Sequence, residues 1–274
     1  MQIDDLLRRV ESLPPLPRTI ILIEEYRRKS EKEISELHDI ISKDALIVTN
    51  LLKIANSAMF GFRSKVETPL RAISLLGINF TISVAISASS QKLLVTTLAP
   101  YGLTNDNFMN SSNIASVLAS LWLGKIDETI KDEIILPALL IDIGKYIIAD
   151  MILNEQKEKE FKAQIEEGIL SIEEVEKEFL GFSSSYVTAQ IFKHWKLSPN
   201  LINSIEFVDD INSVSKEFER KAKILSVIKT VANIKEFCRN GIRDIKDRSK
   251  DEASGDDIFG GTKKNEKKDK DDIF

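Results

Sequence analysis

The chain has 274 residues, 43% of them hydrophobic and 30% charged, with a formal net charge of -5. That is enough apolar material for one large domain or two small ones, while the acidic balance argues against a broad nucleic-acid surface, which needs a clustered excess of Lys and Arg. One cysteine, Cys238, excludes a disulfide framework and a Cys-rich metal site, suits a reducing cytoplasm, and reads as a small apolar filler. The start, Met1 to Asp5, lacks the basic and apolar regions of a secretory signal, so a cytoplasmic location is expected.

In chain order, Leu6, Leu7 and Val10 recur at helical spacing behind Asp4 and Asp5, and Pro14, Pro15 and Pro17 end that helix in an extended connection. A second amphipathic helix is predicted from Thr19 to Lys29, its basic end Arg27-Arg28-Lys29 solvated. Ile34, Leu37, Ile40 and Ile41 form the next apolar stripe, with Ser35 as its cap. The dipeptide His38-Asp39 on this stretch has no other histidine before His194, so it reads as helix surface rather than a metal site. Asp44 caps a helix through Ala55 that is apolar on several sides, and Asn56-Ser57-Ala58 ends it because short polar side chains compete for backbone hydrogen bonds. Gly61 turns the chain, Thr68-Pro69 starts a helix, and Gly77 closes it. Ala72 to Gln91 carries no charge and is long enough to span a bilayer, but Gly77, Asn79, Thr81 and four serines favour two buried helices and no membrane span.

Pro100-Tyr101-Gly102 marks a break, after which Thr104 opens a helix carrying Phe108, Ile114, Leu118, Leu121 and Trp122 to Gly124. Asp132 begins another that carries Leu136 to Ile148, with Pro137 in its first turns. The charged run Glu155 to Gly168 reads as a surface excursion. Ser171 with Glu174 forms a capping box, with Val175, Phe179 and Leu180 on its helix's apolar face. Helices follow from Ser183 to Trp195, from Ser198-Pro199, and from Val214 to Arg239, the last with Ile224, Leu225, Val227, Ile228, Val231 and Ile234 inward. From Asp247 the residues are too polar for a packed core. Asp256-Asp257-Ile258-Phe259 in that tail recurs as Asp271-Asp272-Ile273-Phe274, a candidate docking motif with Ile258, Phe259, Ile273 and Phe274 as its apolar anchors.

Four stretches together resemble the bacterial HDOD domain, the HD-related output domain: Leu13-Pro14-Pro15-Leu16-Pro17, Ile40-Ile41-Ser42-Lys43-Asp44-Ala45-Leu46, Leu51 to Gly61, and Ala72-Ile73-Ser74-Leu75-Leu76-Gly77. The resemblance runs from about Leu13 to about Asp209, with Ala45 where the family usually has proline. It implies an all-α, HD-domain-like fold of two helical lobes sharing a core, residues 1–99 and 100–246, followed by a disordered charged tail, 247–274. It marks Pro14, Pro15, Asp44, Asn56, Ser57, Gly61, Gly77, Asp142, Gly144 and Lys145 as family-motif structural residues.

The same resemblance locates where HD-type phosphohydrolases carry their metal ligands. The His-Asp pair of the family reads here as Ile141-Asp142, and the other histidine positions fall at Asn110, Ser184, Val208 and Asp209. A butyl side chain donates no lone pair, and two histidines in the whole chain, His38 and His194, are too few for a site that needs three or more. His194 reads as a hydrogen-bonded packing residue. No glycine-rich phosphate loop, nucleophile elbow or Cys-His pairing is present. The expectation is therefore no catalytic residue, no metal and no cofactor, with Asp142 kept as a buried acceptor for backbone or hydroxyl donors and able to pair with Lys145 on the same helix. Function is expected as a non-catalytic signal-transduction module, in a family linked to motility, biofilm and second-messenger control. With no receiver, cyclase or kinase segment attached, it would act by binding another signalling protein. The rival readings are a small-ligand or nucleotide sensor in the vacated metal cleft, and residual metal-dependent phosphohydrolysis.

Overall fold

The computed structural model describes residues 2–234 apart from 59, 95 and 233. Cys238, the tail from Asp247 and its repeated Ile-Phe motif lie outside the described residues. Fourteen α-helices follow one another, and no strand occurs among the described residues: α1 Gln2–Glu11, α2 Arg18–Arg27, α3 Ile34–Ile41, α4 Ala45–Ala55, α5 Pro69–Leu76, α6 Ile78–Leu93, α7 Asn105–Leu123, α8 Glu128–Leu140, α9 Lys145–Asn154, α10 Glu158–Glu167, α11 Ile172–Leu180, α12 Ser184–His194, α13 Pro199–Glu206 and α14 Glu219–Ala232. Short 3-10 turns occupy Ala99–Tyr101 and Ile211–Ser213. One hydrophobic cluster runs from Leu6 on α1 to Ile234.

The capping signals account for most helix starts. Asp44 accepts from the amides of Leu46 and Ile47, Thr68 from Arg71, Thr104 from Asn107, and Ser198 from Leu201. Ser171 and Glu174 exchange both bonds of the capping box. Asn56 does more than end α4: its amide donates to the carbonyls of Leu52 and Val66 and accepts from the Val66 N–H at 2.8 Å, pinning the loop after α4 back on the helix. Gly77 sits at φ +85°, a conformation that a side chain resists, and there α5 and α6 turn on each other by 120°. Both bury apolar residues, Ala72 and Ile73 on α5 and Phe80 to Ala88 on α6 among them. No single helix among the described residues is long and apolar enough to cross a membrane.

Several expectations are corrected. Helix α8 starts at Glu128 because Asp127 caps it through Thr129 and Ile130, four residues ahead of Asp132. The apolar run through Ile148 is two helices, broken by the turn at residues 141–144. The charged run after Glu155 is helix α10, whose Phe161 and Ile165 are buried; two apolar residues four apart are enough to seat it. Helix α3 begins at Ile34 with Glu33 before it, so Ser35 caps nothing, and Ile34 is exposed. Helix α14 begins at Glu219, after the 3-10 turn, rather than at Val214. Leu7, Leu46, Leu121, Val227 and Val231 are exposed, since each lies beside the buried stripe of its helix instead of on it. Arg27 turns inward to Ser198 and Glu24 instead of ending in solvent.

The turn between α8 and α9 approaches α12 without room for a side chain. A Cβ on Gly144 would lie 2.2 Å from the Ser184 carbonyl oxygen and 2.8 Å from the Thr188 nitrogen, both backbone atoms. The Gly144 N–H donates to Thr188 Oγ1 at 2.8 Å, and that hydroxyl donates to the Ile141 or Ser184 carbonyl. Gly144→Ala is expected to lower the unfolding free energy by about 1–3 kcal/mol through forced separation of α9 and α12; a urea denaturation curve coincident with wild type would refute this close contact.

Candidate functional site: a buried cluster of lysines and carboxylates

Lys145, the first residue of α9, has its side chain fully buried, with its ammonium turned toward α11 and α12. Its Nζ donates to Glu176 Oε1 at 2.9 Å and to Ser184 Oγ at 2.9 Å, and lies 3.2 Å from Asp142 Oδ1 and 3.6 Å from Glu173 Oε1. The Tyr101 ring closes one side, its centroid 5.2 Å from Nζ. Lys229 of α14 meets the same acids from the other direction. Its Nζ is 2.9 Å from Glu173 Oε1, 2.9 Å from Asp209 Oδ1 and 3.8 Å from Asp142 Oδ1. Asp142 and Glu173 thus bridge two ammonium groups, while Glu176 belongs to Lys145 and Asp209 to Lys229.

Each acid has further support. Glu176 accepts from the Tyr101 hydroxyl at 2.8 Å and from the Ser184 N–H at 2.6 Å, the first through Oε1 and the second through Oε2. Asp209 accepts from the Ser185 hydroxyl, and its backbone carbonyl accepts from Lys177. Burial alone would pull the pKa of Lys145 down, but Asp142, Glu176 and Glu173 outweigh it and hold the ammonium well above its ordinary 10.5. Burial likewise opposes the charge on Lys229, and Asp209, Glu173 and Asp142 raise its pKa in spite of that. Glu173 is held well below the ordinary 4.5 because Lys229 and Lys145 overcome its own burial. Glu176 is pushed upward by burial, against the attraction of Lys145.

The cluster brings together four of the residues singled out in the sequence, Asp142, Gly144, Lys145 and Ser184, with Asp209 as a fifth. Ile141 and Val208 are buried apolar neighbours in chain. Asn110 is elsewhere, in a cleft of about 350 Å³ lined by α4, α6 and α7 residues that include Ser57 and Phe60. Asp142 receives ammonium groups instead of the expected backbone or hydroxyl donors; its Oδ1 lies in ion-pair contact without making a hydrogen bond. It sits in the turn before α9, so its partner Lys145 is not on one continuous helix with it. His38 faces Asp39 at the surface, and His194 Nε2 lies 3.3 Å from the Leu13 carbonyl.

Glu173, Glu176 and Lys229 were not legible as site residues from any motif. A signal did exist for two of them. Glu176 stands on the same stripe of α11 as Ile172 and Leu180, and Lys229 on the same stripe of α14 as Ala222, Leu225 and Ala232. A charge on a buried stripe must find an opposite charge inside.

A divalent metal, implied by the HD-type resemblance, does not fit this donor set. Ile141 and Val208 donate nothing, Ser184 serves Lys145, and the remaining carboxylate oxygens are spaced 2.9–3.8 Å around Lys229 Nζ, the spacing of an ammonium ion rather than the 2.0–2.6 Å that metal–oxygen bonds need. Among the described residues no group of three or more His, Cys, Asp and Glu is arranged to hold a metal.

An all-helical domain with an ion-paired cluster between α9, α11, α12 and α14 is the class that fold and site define. The family model of the HDOD domain matches residues 13–211, and the chain belongs to that family. In solved structures the same fold recurs in an HDOD domain protein of unknown function from Geobacter sulfurreducens, with 15% identity, a TM-score of 0.62, and 85% of this chain and 78% of that one covered. It recurs in a proposed signal transduction protein of Marinobacter aquaeolei, with 16% identity, a TM-score of 0.66, and 92% and 64% covered. A proposed phosphohydrolase from Shewanella amazonensis shares 22% identity at a TM-score of 0.58, with 83% and 79% covered. A Treponema pallidum protein of uncharacterised role is 21% identical over 222 residues, and the chain spans 40% of that protein's length.

Removing Lys145 strands the acids that surround it. Lys145→Met is expected to lose about 3–5 kcal/mol of stability, and Lys145→Met with Glu176→Gln to lose less, because the most buried partner charge goes with it. Equal losses in the two variants, read from chemical denaturation, would contradict the pairing. Alkaline pH gives a second reading. A raised lysine pKa contributes stability that is fully present below 10.5 and is lost as pH rises through the folded-state value, so wild type should weaken above about pH 10.5 more steeply than Lys145→Met.

Proposed function

We propose that this chain is a non-catalytic bacterial signal-transduction module, cytoplasmic and working by binding another signalling protein. The observation that carries the reading is the state of the acids at the expected metal position. They are matched to internal ammonium groups, and the neighbouring positions offer no imidazole to bind a metal, lower the pKa of a water or polarise a phosphoryl oxygen. The surface supports the interaction half of the proposal. Helices α7 and α14 pack on each other, and each leaves apolar side chains in solvent: Leu121 at 61% exposure on α7, Val231 at 59% and Val227 on α14.

A small-ligand sensor is the second reading, favoured by a cleft of about 590 Å³ beside the cluster, lined by Glu173, Lys177, Asp209, Lys229 and Thr230 among others.

Two measurements separate these readings. Full-length protein with manganese should release no p-nitrophenol from bis-p-nitrophenyl phosphate above buffer, and capture from the native bacterium should retain a partner that Leu121→Glu or Val231→Glu no longer holds while unfolding is unchanged. Manganese-dependent hydrolysis that disappears in Asp142→Ala would overturn the non-catalytic reading. A saturable rise in melting temperature with cyclic dinucleotides would favour the sensor, since a ligand at 100 times its Kd adds about 2.7 kcal/mol.

A further inference from the structure

Helices α4 and α7 both line the cleft of about 350 Å³ that holds Asn110, and its lining shares no residue with the lysine–carboxylate cluster. Each helix contributes at helical spacing. Asn50 and Lys53 of α4 are followed by Ser57 just past its end, and Asp106, Asn110, Asn113 and Val117 form one face of α7. The loop that carries Ser57 and Phe60 is fixed in place: Asn56 ties it to Leu52 and Val66, and the Phe60 ring stacks on Phe62 at 5.7 Å and meets Phe80 edge-on at 5.3 Å. Walls set in advance spare a ligand the cost of ordering them.

Two features of the lining specify what it takes. The first is charge. Lys53 in the last turn of α4 faces the negative end of that helix, Asp106 in the first turn of α7 faces the positive end of the other, and the two side chains pair with each other at 3.4 Å. Both formal charges in the lining are thereby answered, so a charged ligand would gain little there over water. The second is an open hydrogen-bond position. Asn113 Oδ1 is buried with no partner among the described residues, a condition that folded proteins rarely leave standing. That oxygen calls for an N–H donor, while the Asn50 and Asn110 amides each bring donors and an acceptor to the same cleft. We propose that this cleft binds a neutral purine, as the free base or its nucleoside: the amides of Asn50, Asn110 and Asn113 pair with the edges of the base, and Phe60 offers a ring to its face. A planar amide matches the adjacent amine and ring nitrogen of a purine in two hydrogen bonds, and an aromatic ring stacks on any base. At about 350 Å³ the cleft lies at the small end of the roughly 300–1,000 Å³ range of ligand sites, room for one ring system and not for a dinucleotide. The site is independent of the proposed partner surface, since Leu121, Val227 and Val231 are not in its lining.

The test titrates the full-length protein with adenine, adenosine and guanosine, by calorimetry and by thermal unfolding. At least one should bind one-to-one with saturable heat and raise the melting temperature, and its 5′-monophosphate should bind no more tightly. Asn113→Leu should unfold no more easily than wild type without ligand, because it removes an unpaired buried oxygen, yet should weaken purine binding roughly tenfold or more. Should that variant fail to fold, Asn50→Ala combined with Asn110→Ala takes its place with the same expected loss. Thr230→Val, in the wall of the cleft beside the lysine–carboxylate cluster, should bind the purine as wild type does. The inference is overturned if none of the three binds, if the monophosphate binds more tightly, if the asparagine variants bind as well as wild type, or if Thr230→Val is the variant that loses binding. Capture of a protein partner and its loss in Leu121→Glu leave these titrations unaffected, so this inference and the functional proposal fail separately.

Discussion

One buried ammonium, that of Lys145, sets the terms for the second half of the chain. Its four-carbon stem cannot reach solvent from the start of α9, so its charge must be answered inside. That demand fixes three neighbours at once. Helix α11 must present Glu176 and Glu173, α12 must begin where the Ser184 hydroxyl and N–H can both engage the pair, and the 3-10 turn before α7 must bring Tyr101 over it. Gly144 belongs to the same constraint, because α9 can only aim its first side chain this way if the preceding residue lies against the α12 backbone. Such a network is not a source of surplus stability. Apolar residues of similar volume often do as well, and what the charges add is a single acceptable register among four helices.

How much of this the sequence made legible depended on whether the signal was local. Caps are local: Asp44, Thr68, Thr104, Ser171 and Ser198 each act within three residues, and each was readable. The start of α8 was misplaced because Asp127 and Asp132 offer the same chemistry five residues apart, and packing chose between them. The break at Ile141–Gly144 was hidden by an unbroken apolar run on both sides; only the contact of Gly144 with Ser184 and Thr188, some forty residues on, explains it. Likewise α10 looked like surface because seven of its ten residues are polar or charged, while Phe161 does the anchoring against Tyr101 and Phe179.

The site was half legible for a related reason. A family pattern points to positions, and it pointed to Asp142, Lys145, Ser184 and Asp209, which the fold does bring together. It was silent on which charges those positions meet. Asn110 shows the limit most clearly, since a position assigned by the family resemblance landed in a separate cleft beside α4. Glu173, Glu176 and Lys229 lay outside the pattern, and the property that links them, charge on a buried stripe, becomes meaningful only when the opposing helix is known.

The position of Lys229 ties these strands together. A cluster of four carboxylates with Lys145 alone would carry a large excess of negative charge in a buried place, and the fold would have had to protonate acids, admit ions or open the cleft to water. Glu176 already leans toward the first of these, its pKa raised by burial, whereas Glu173 is held ionised by the lysines on either side of it. The two acids stand on one helix but differ in contact: Glu173 touches Lys229 as well as Lys145, whereas Glu176 touches Lys145. A helix beyond the matched family region therefore supplies one of the two cations that answer the carboxylates of this cluster.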